Sequence, residues 1–193
     1  MAPFESRRFV FGLALVLALP GMAAAQSSTF IIDFNRTGLP GTEVVTQIDP
    51  LNPSQTITTT VATGAFVNPC TSQNVDVIGT STISTVQSID KFGQLKVSVS
   101  EVTKGTGTGW IGADYATRTL TGATYAFNEN SQFTFRLPAA GAEFTSDFTD
   151  KLAMKGAKSI DNWVIRATFR IKVNADGTVQ VFMIKMNADN CKG

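Results

Sequence analysis

Along the last third of the chain, hydrophobic and polar side chains alternate with a period of two. Trp163, Ile165, Ala167, Phe169, Ile171 and Val173 hold the odd positions, with Arg166, Thr168, Arg170 and Lys172 between them. Successive side chains of an extended chain point to opposite faces, so this run predicts a strand with one face in a core. Asn174-Ala175-Asp176-Gly177 supplies residues that suit a tight turn, and the β-rich run 178–186 follows. The pair predicts an antiparallel hairpin. A hairpin alone is marginal in water, so the rest of the chain must supply more sheet.

Most of it reads that way. Residues 75–89 predict one long strand, Asp90-Lys91-Phe92-Gly93 a turn, and Leu95, Val97 and Val99 alternate with Lys96, Ser98 and Ser100 on the return. Gly105-Thr106-Gly107-Thr108-Gly109 reads as a connection. Residues 110–120 and 125–127 are β-like but interrupted at Gly112 and Gly122, and Asn128-Glu129-Asn130 can turn the chain. Phe133, Phe135 and Leu137 then alternate with Gln132, Thr134 and Arg136. After Pro138, the residues Phe144, Ser146, Phe148, Asp150, Leu152 and Met154 share one face of a further strand.

Nearer the start, 29–34 and 43–48 are short strand candidates, while two prolines in 49–53 oppose regular pairing. Residues 26–55 are therefore expected to form an irregular edge or cover, and 56–193 a regular meander. Residues 56–67 are a Thr/Val/Ile run without charge, which should be paired on both sides or serve as the contact of a homo-oligomer. No stretch after Ala25 has a 3.6-residue apolar period. The fold class is all-β: an antiparallel up-and-down meander closed into a barrel of about eight strands, or else a two-sheet sandwich.

The first residues change the picture. Arg7 and Arg8 precede about 11 apolar residues over 9–19, then Pro20-Gly21 and Ala23-Ala24-Ala25, the pattern of a secretory leader cut after Ala25. The block is too short to span a membrane. The remainder, 26–193, has the size of one domain. Export makes the only two cysteines, Cys70 and Cys191, a natural disulfide. In a meander each strand reverses direction, so the two share an end only if an even number of strands lies between them. A break at residues 128–130 yields eight and its absence seven; eight, bridged end to end, favours the barrel.

Asn68-Pro69-Cys70, the Thr/Val-rich strands, the hairpin Val173-Asn174-Ala175-Asp176-Gly177-Thr178-Val179 and the terminal Asn190-Cys191 together resemble a group of secreted bacterial all-β proteins that carry no assigned activity. The resemblance covers roughly residues 66–193 and implies the fold, a location in the periplasm or outside the cell, and no catalytic residue. Members carry histidines on the long strands, and this chain has none.

That absence excludes His-dependent triads and His-ligated metal sites, and the paired cysteines leave no thiol nucleophile. No metal or cofactor site is expected. Without residues 1–25 the chain keeps 14 of its 16 basic and 14 of its 15 acidic side chains, scattered, which argues against nucleic acid as a partner. Paired carboxylates are the surviving catalytic chemistry. Glu143 and Asp147 share a face; Asp147 and Asp150 do not. Asp150, on an otherwise apolar face, is the one weak candidate for a catalytic acid, because a buried carboxylate is costly unless it is used or paired. Trp110 and Tyr115, beside the glycine-rich stretch, are candidates for binding a small apolar ligand or a carbohydrate. Asp176 and the run 187–190 have the composition of calcium ligands without their spacing. Asn35-Arg36-Thr37 matches a glycosylation acceptor. The expected protein is an exported binding or envelope-associated domain, with a carboxylate-dependent hydrolase or isomerase as the alternative.

Overall fold

The computed structural model describes residues 26–39, 42–49, 52–62, 64–137, 143–158, 161–176 and 178–191; the leader expected over 1–25 lies outside them. The chain is antiparallel β throughout these residues. Ten strands follow in order: β1 (Gln26–Arg36), β2 (Thr42–Asp49), β3 (Asn52–Ala62), β4 (Phe66–Val67), β5 (Asn74–Ile89), β6 (Leu95–Ile111), β7 (Thr119–Leu137), β8 (Phe144–Met154), β9 (Trp163–Val173) and β10 (Val179–Cys191).

They pair into two sheets rather than one eight-stranded ring. The larger runs β3-β2-β1-β5-β6-β7, with β4 added to β5, and the smaller runs β10-β9-β8. The sheets meet along β7 and β8, where an isolated bridge joins Ala126 to Lys155 through hydrogen bonds of 2.9 and 3.0 Å. Beyond that bridge side chains fill the seam: Phe133 packs on Phe148 at 4.4 Å between ring centroids and Phe135 on Phe144 at 5.3 Å. On the opposite flank Arg36 of β1 donates to the carbonyls of Gly64 at 2.7 Å and Met186 at 3.5 Å. This arrangement corresponds to the two-sheet alternative.

Alternation explains the core. Ile165, Ala167, Phe169 and Ile171 are fully buried, as are Phe30, Ile32, Val75, Val77 and Ile83 of the larger sheet. Full burial of a side chain of this size is worth about 1.5–3 kcal/mol each relative to exposure, so the two inward faces hold the sheets together.

Several local expectations change. The described residues of 26–55 are regular strand for the most part: β1 lies inside the larger sheet, between β2 and β5. The uncharged run 56–67 divides into the end of β3, which pairs with β2 at one margin of the sheet, and the short β4. Gly105 to Gly109 are no connection but part of β6, paired with β5 throughout and with β7 as far as Thr108. Their reason is steric. Gly79 faces Gly105 across the ladder, and a Cβ at Gly79 would come within 2.5 Å of Phe34 and 2.8 Å of Phe127. The missing side chains make room for those rings, which stack at 6.0 Å. Asn128-Glu129-Asn130 likewise continue β7, opposite Lys104, Thr103 and Val102. Removing both breaks leaves six strands, β5 to β10, between the cysteines, still an even number. Cys70 and Cys191 accordingly lie at one end, with Cα atoms 5.3 Å apart, and are disulfide-bonded. Among the described residues no helix is long and apolar enough to cross a membrane.

Candidate functional site

Three places hold the side chains capable of chemistry or recognition. The first is at the end of the larger sheet where the chain leaves β1. Trp110 shares the outward parity of Thr108, the partner of Asp76 in the β5 ladder, and the loop after β6 brings Tyr115 against it, ring edge to face at 5.5 Å. Both converge on Asp76 of β5. Its carboxylate accepts hydrogen bonds from the Trp110 indole N–H at 3.0 Å, the Tyr115 hydroxyl at 3.0 Å and the Gly38 backbone N–H at 2.8 Å. Burial, then the bond to Asp76, push the Tyr115 phenol up. Gly38 has no room for a Cβ, which would lie 2.7 Å from the Tyr115 ring and closer still to Trp110. Arg118 covers the other face of Tyr115 at 3.7 Å. Trp110 is only 5% exposed. The structure thus brings the two aromatic candidates together, but as a closed cluster that clamps the β1–β2 connection rather than as an open platform.

The second place is interior. Glu101 continues the inward series Val97 and Val99 on β6 and is 0% exposed. It accepts hydrogen bonds from the hydroxyls of Thr103 at 2.9 Å and Ser131 at 3.2 Å, and Thr103 shares a further bond of 2.6 Å with Ser81. Burial, reinforced by the negative charge of Asp150, pushes the Glu101 carboxyl up to about 7. Removal from water disfavours the anion, a second carboxylate adds to that, and the hydroxyl donors offset only part of it. Asp150 of β8 is itself pushed up, by burial first and then by Glu129, and its Oδ2 has no hydrogen-bond partner. Glu129 stands in the seam and accepts from the backbone N–H of Ala153 at 3.1 Å, taking the place of a ladder partner beyond the Ala126–Lys155 bridge. The expected candidate Asp150 therefore lies inward, where its charge acts on Glu101 and that of Glu129 acts on it. Among the described residues no three His, Cys, Asp or Glu side chains are placed to hold a metal ion.

The third place is on the outer face. A groove of about 590 Å³ runs across β5, β6 and β7, lined by Ser84, Val86, Ser98, Ser100, Gln132 and Thr134, with Val99 and Phe133 also against it. Its rows are cross-strand partners: Ser84 with Ser100 and Gln132, Val86 with Ser98 and Thr134.

The remaining candidates have local explanations. Asp147 forms a two-pronged ion pair with Arg170 on the outer face, at 2.6 and 2.8 Å, which holds its carboxyl below the usual range. Asp176 accepts from the backbone N–H of Thr178 at 2.9 Å and closes the β9–β10 turn. Glu101 was accessible to sequence reasoning through its parity with Val97 and Val99, and Ser98 and Ser100 through their outward parity. That Glu101 meets Asp150 has no signature in the chain. No protein-family model, curated protein or solved structure matches this sequence.

Proposed function

We propose that this is an exported, non-catalytic binding domain of the bacterial envelope or its surroundings, a two-sheet β domain whose outer groove takes a carbohydrate. The groove lined by Ser84, Ser98, Ser100, Gln132 and Thr134 carries the reading. Hydroxyl and amide groups are at once donors and acceptors, which suits the hydroxyls of a sugar, and Val86 offers an apolar surface for a ring face. The leader-like residues 1–25 and the disulfide support export. The reading moves the binding surface away from Trp110 and Tyr115, whose faces are occupied by each other, Gly38 and Arg118.

The test is an NMR titration of the folded protein with neutral and acidic oligosaccharides. The expected result is a set of shifted amides confined to residues 84–86, 98–100 and 132–134. Absence of shifts at millimolar sugar, or shifts centred on Tyr115, would sink it.

A second reading rests on one observation, the buried Glu101 facing Asp150. A carboxyl that stays protonated to near neutrality near a second inward carboxyl is the setting from which acid and base roles are drawn. In that reading Glu101 is the acid and Asp150 its partner, and Glu101→Gln abolishes turnover of glycosides; equal turnover by the variant excludes it.

A further inference from the structure

On β6 and β7 the pleat sorts charge by sign. The acids of these strands, Glu101 and Glu129, point inward, while their bases, Lys96, Lys104 and Arg136, have outward parity. The groove lies between the bases. Lys96 and Arg136 are direct cross-strand partners one row beyond Ser98 and Thr134, and Lys104 stands four residues beyond Ser100 in the other direction. At about 3.3 Å per residue the two lysines mark ends about 26 Å apart, with hydroxyl rows between them.

From this we infer that the ligand of the groove is an anionic polysaccharide bearing carboxylates, a chain of uronic acid units. The inference rests on the carbohydrate reading above and specifies its chemistry. A polymer of that kind alternates hydroxyls with charges, and so does the face it would cover. Arg136 is well suited to the task because its planar fork matches a carboxylate with two parallel hydrogen bonds. Arg136 is held loosely by its own acid: the Asp90 carboxylate is 3.8 Å away, the guanidinium side chain is 65% exposed, and Asp90 also accepts from the backbone of Phe92 and Gln94. Asp33, the acid nearest the far end, takes a hydrogen bond from Thr80 and lies two strands from Lys104. The face therefore keeps an excess of positive charge along β6 and β7, although the chain without its leader is balanced overall. An exposed Phe92, 76% accessible on the β5–β6 turn beside Lys91, extends the basic end with an aromatic surface for a sugar ring.

The experiment is isothermal titration of the folded protein with oligogalacturonate, a neutral oligosaccharide of equal length, a sulfated dextran fragment and a single-stranded oligodeoxynucleotide. Oligogalacturonate is expected to bind about tenfold or more tightly than the neutral sugar at low salt, the preference shrinking as salt screens the exposed charges. Lys96→Gln with Arg136→Gln should remove that preference while leaving the neutral sugar unaffected, and Lys104→Gln alone should reduce it. Ser98→Leu with Ser100→Leu should weaken both sugars. Equal affinity for the two sugars overturns the inference and leaves the carbohydrate reading intact; binding of neither overturns both. Sulfated dextran or the oligonucleotide binding as tightly as oligogalacturonate overturns the uronate assignment in favour of a general polyanion surface.

Discussion

At the Trp110 end of the larger sheet, the Asp76 carboxylate accepts bonds from an indole N–H, a phenol and a backbone amide. On the adjacent strand Glu101 has two hydroxyl donors and faces Asp150. The two acids sit on neighbouring strands of one sheet, on opposite faces. Asp76 accepts from three donors and serves to clamp a connection. Glu101 is buried and near the like charge of Asp150, which its hydroxyl donors offset only in part, so its proton is retained to near neutrality. Burial first, then a neighbouring like charge that hydroxyl donors only partly offset, gives Glu101 a proton to hold.

The comparison can be broken or sharpened by four measurements. The largest change is expected from Cys70→Ser with Cys191→Ser, which frees the end of the molecule carrying the Asp76 clamp. The closed loop spans 121 residues, so the chain-entropy cost is about 5 kcal/mol. Chemical denaturation should show a midpoint falling accordingly, and an unchanged midpoint would mean the staple contributes nothing to the fold.

Next is Glu101→Gln. The folded-state value of about 7 lies above the ordinary 4.5, so between these the folded protein binds more protons than the unfolded chain. Stability from this group is fully present below about pH 4.5 and lost as pH rises toward 7, a swing of about 3 kcal/mol. Asp150, shifted upward as well, acts in the same direction. The glutamine variant should lose most of that slope and exceed the parent in stability at pH 8. A parent whose stability rises from pH 5 to 7.5 with the slope unchanged by the variant would contradict the assignment.

Asp76→Asn should be smaller, about 1–3 kcal/mol, because an amide oxygen keeps acceptor capacity while the charge is lost. The signature that distinguishes it from a general loss is local: Trp110 fluorescence and amide exchange at Gly38 should change while the Glu101 titration does not. Smallest of all is Asp147→Asn, which breaks an exposed pair with Arg170. No measurable change in melting temperature at neutral pH is expected, since exposed pairs contribute little; a large loss would show that outward acids matter as much as inward ones.

The β9–β10 hairpin was legible in the chain because Trp163 to Val173 alternate strictly and Asn174 to Gly177 are turn residues. Inward Asp150 was legible for the same reason. The glycines of β6 were not, because a run of Gly and Thr is the composition of a connection, and only the rings of Phe34 and Phe127 show why side chains are absent there. Nor was the pairing of Trp110 and Tyr115 with Asp76 and Gly38, since Gly38 and Asp76 lie far from that pair and from each other in the chain. Parity names the face a residue points to, not what stands opposite.

Period-two patterning, turn residues and two cysteines were enough to determine an antiparallel β protein bridged between Cys70 and Cys191, because side-chain alternation is a local property of extended backbone. Which strands pair, that the sheets are two and that they part beyond Ala126 and Lys155 were decided only by tertiary structure. So were the meeting of Glu101 with Asp150 and the groove between Lys96 and Lys104. These depend on strand pairing, on the space glycine leaves for distant rings and on the neighbouring charges of residues from separate strands, none of which is encoded at any single position.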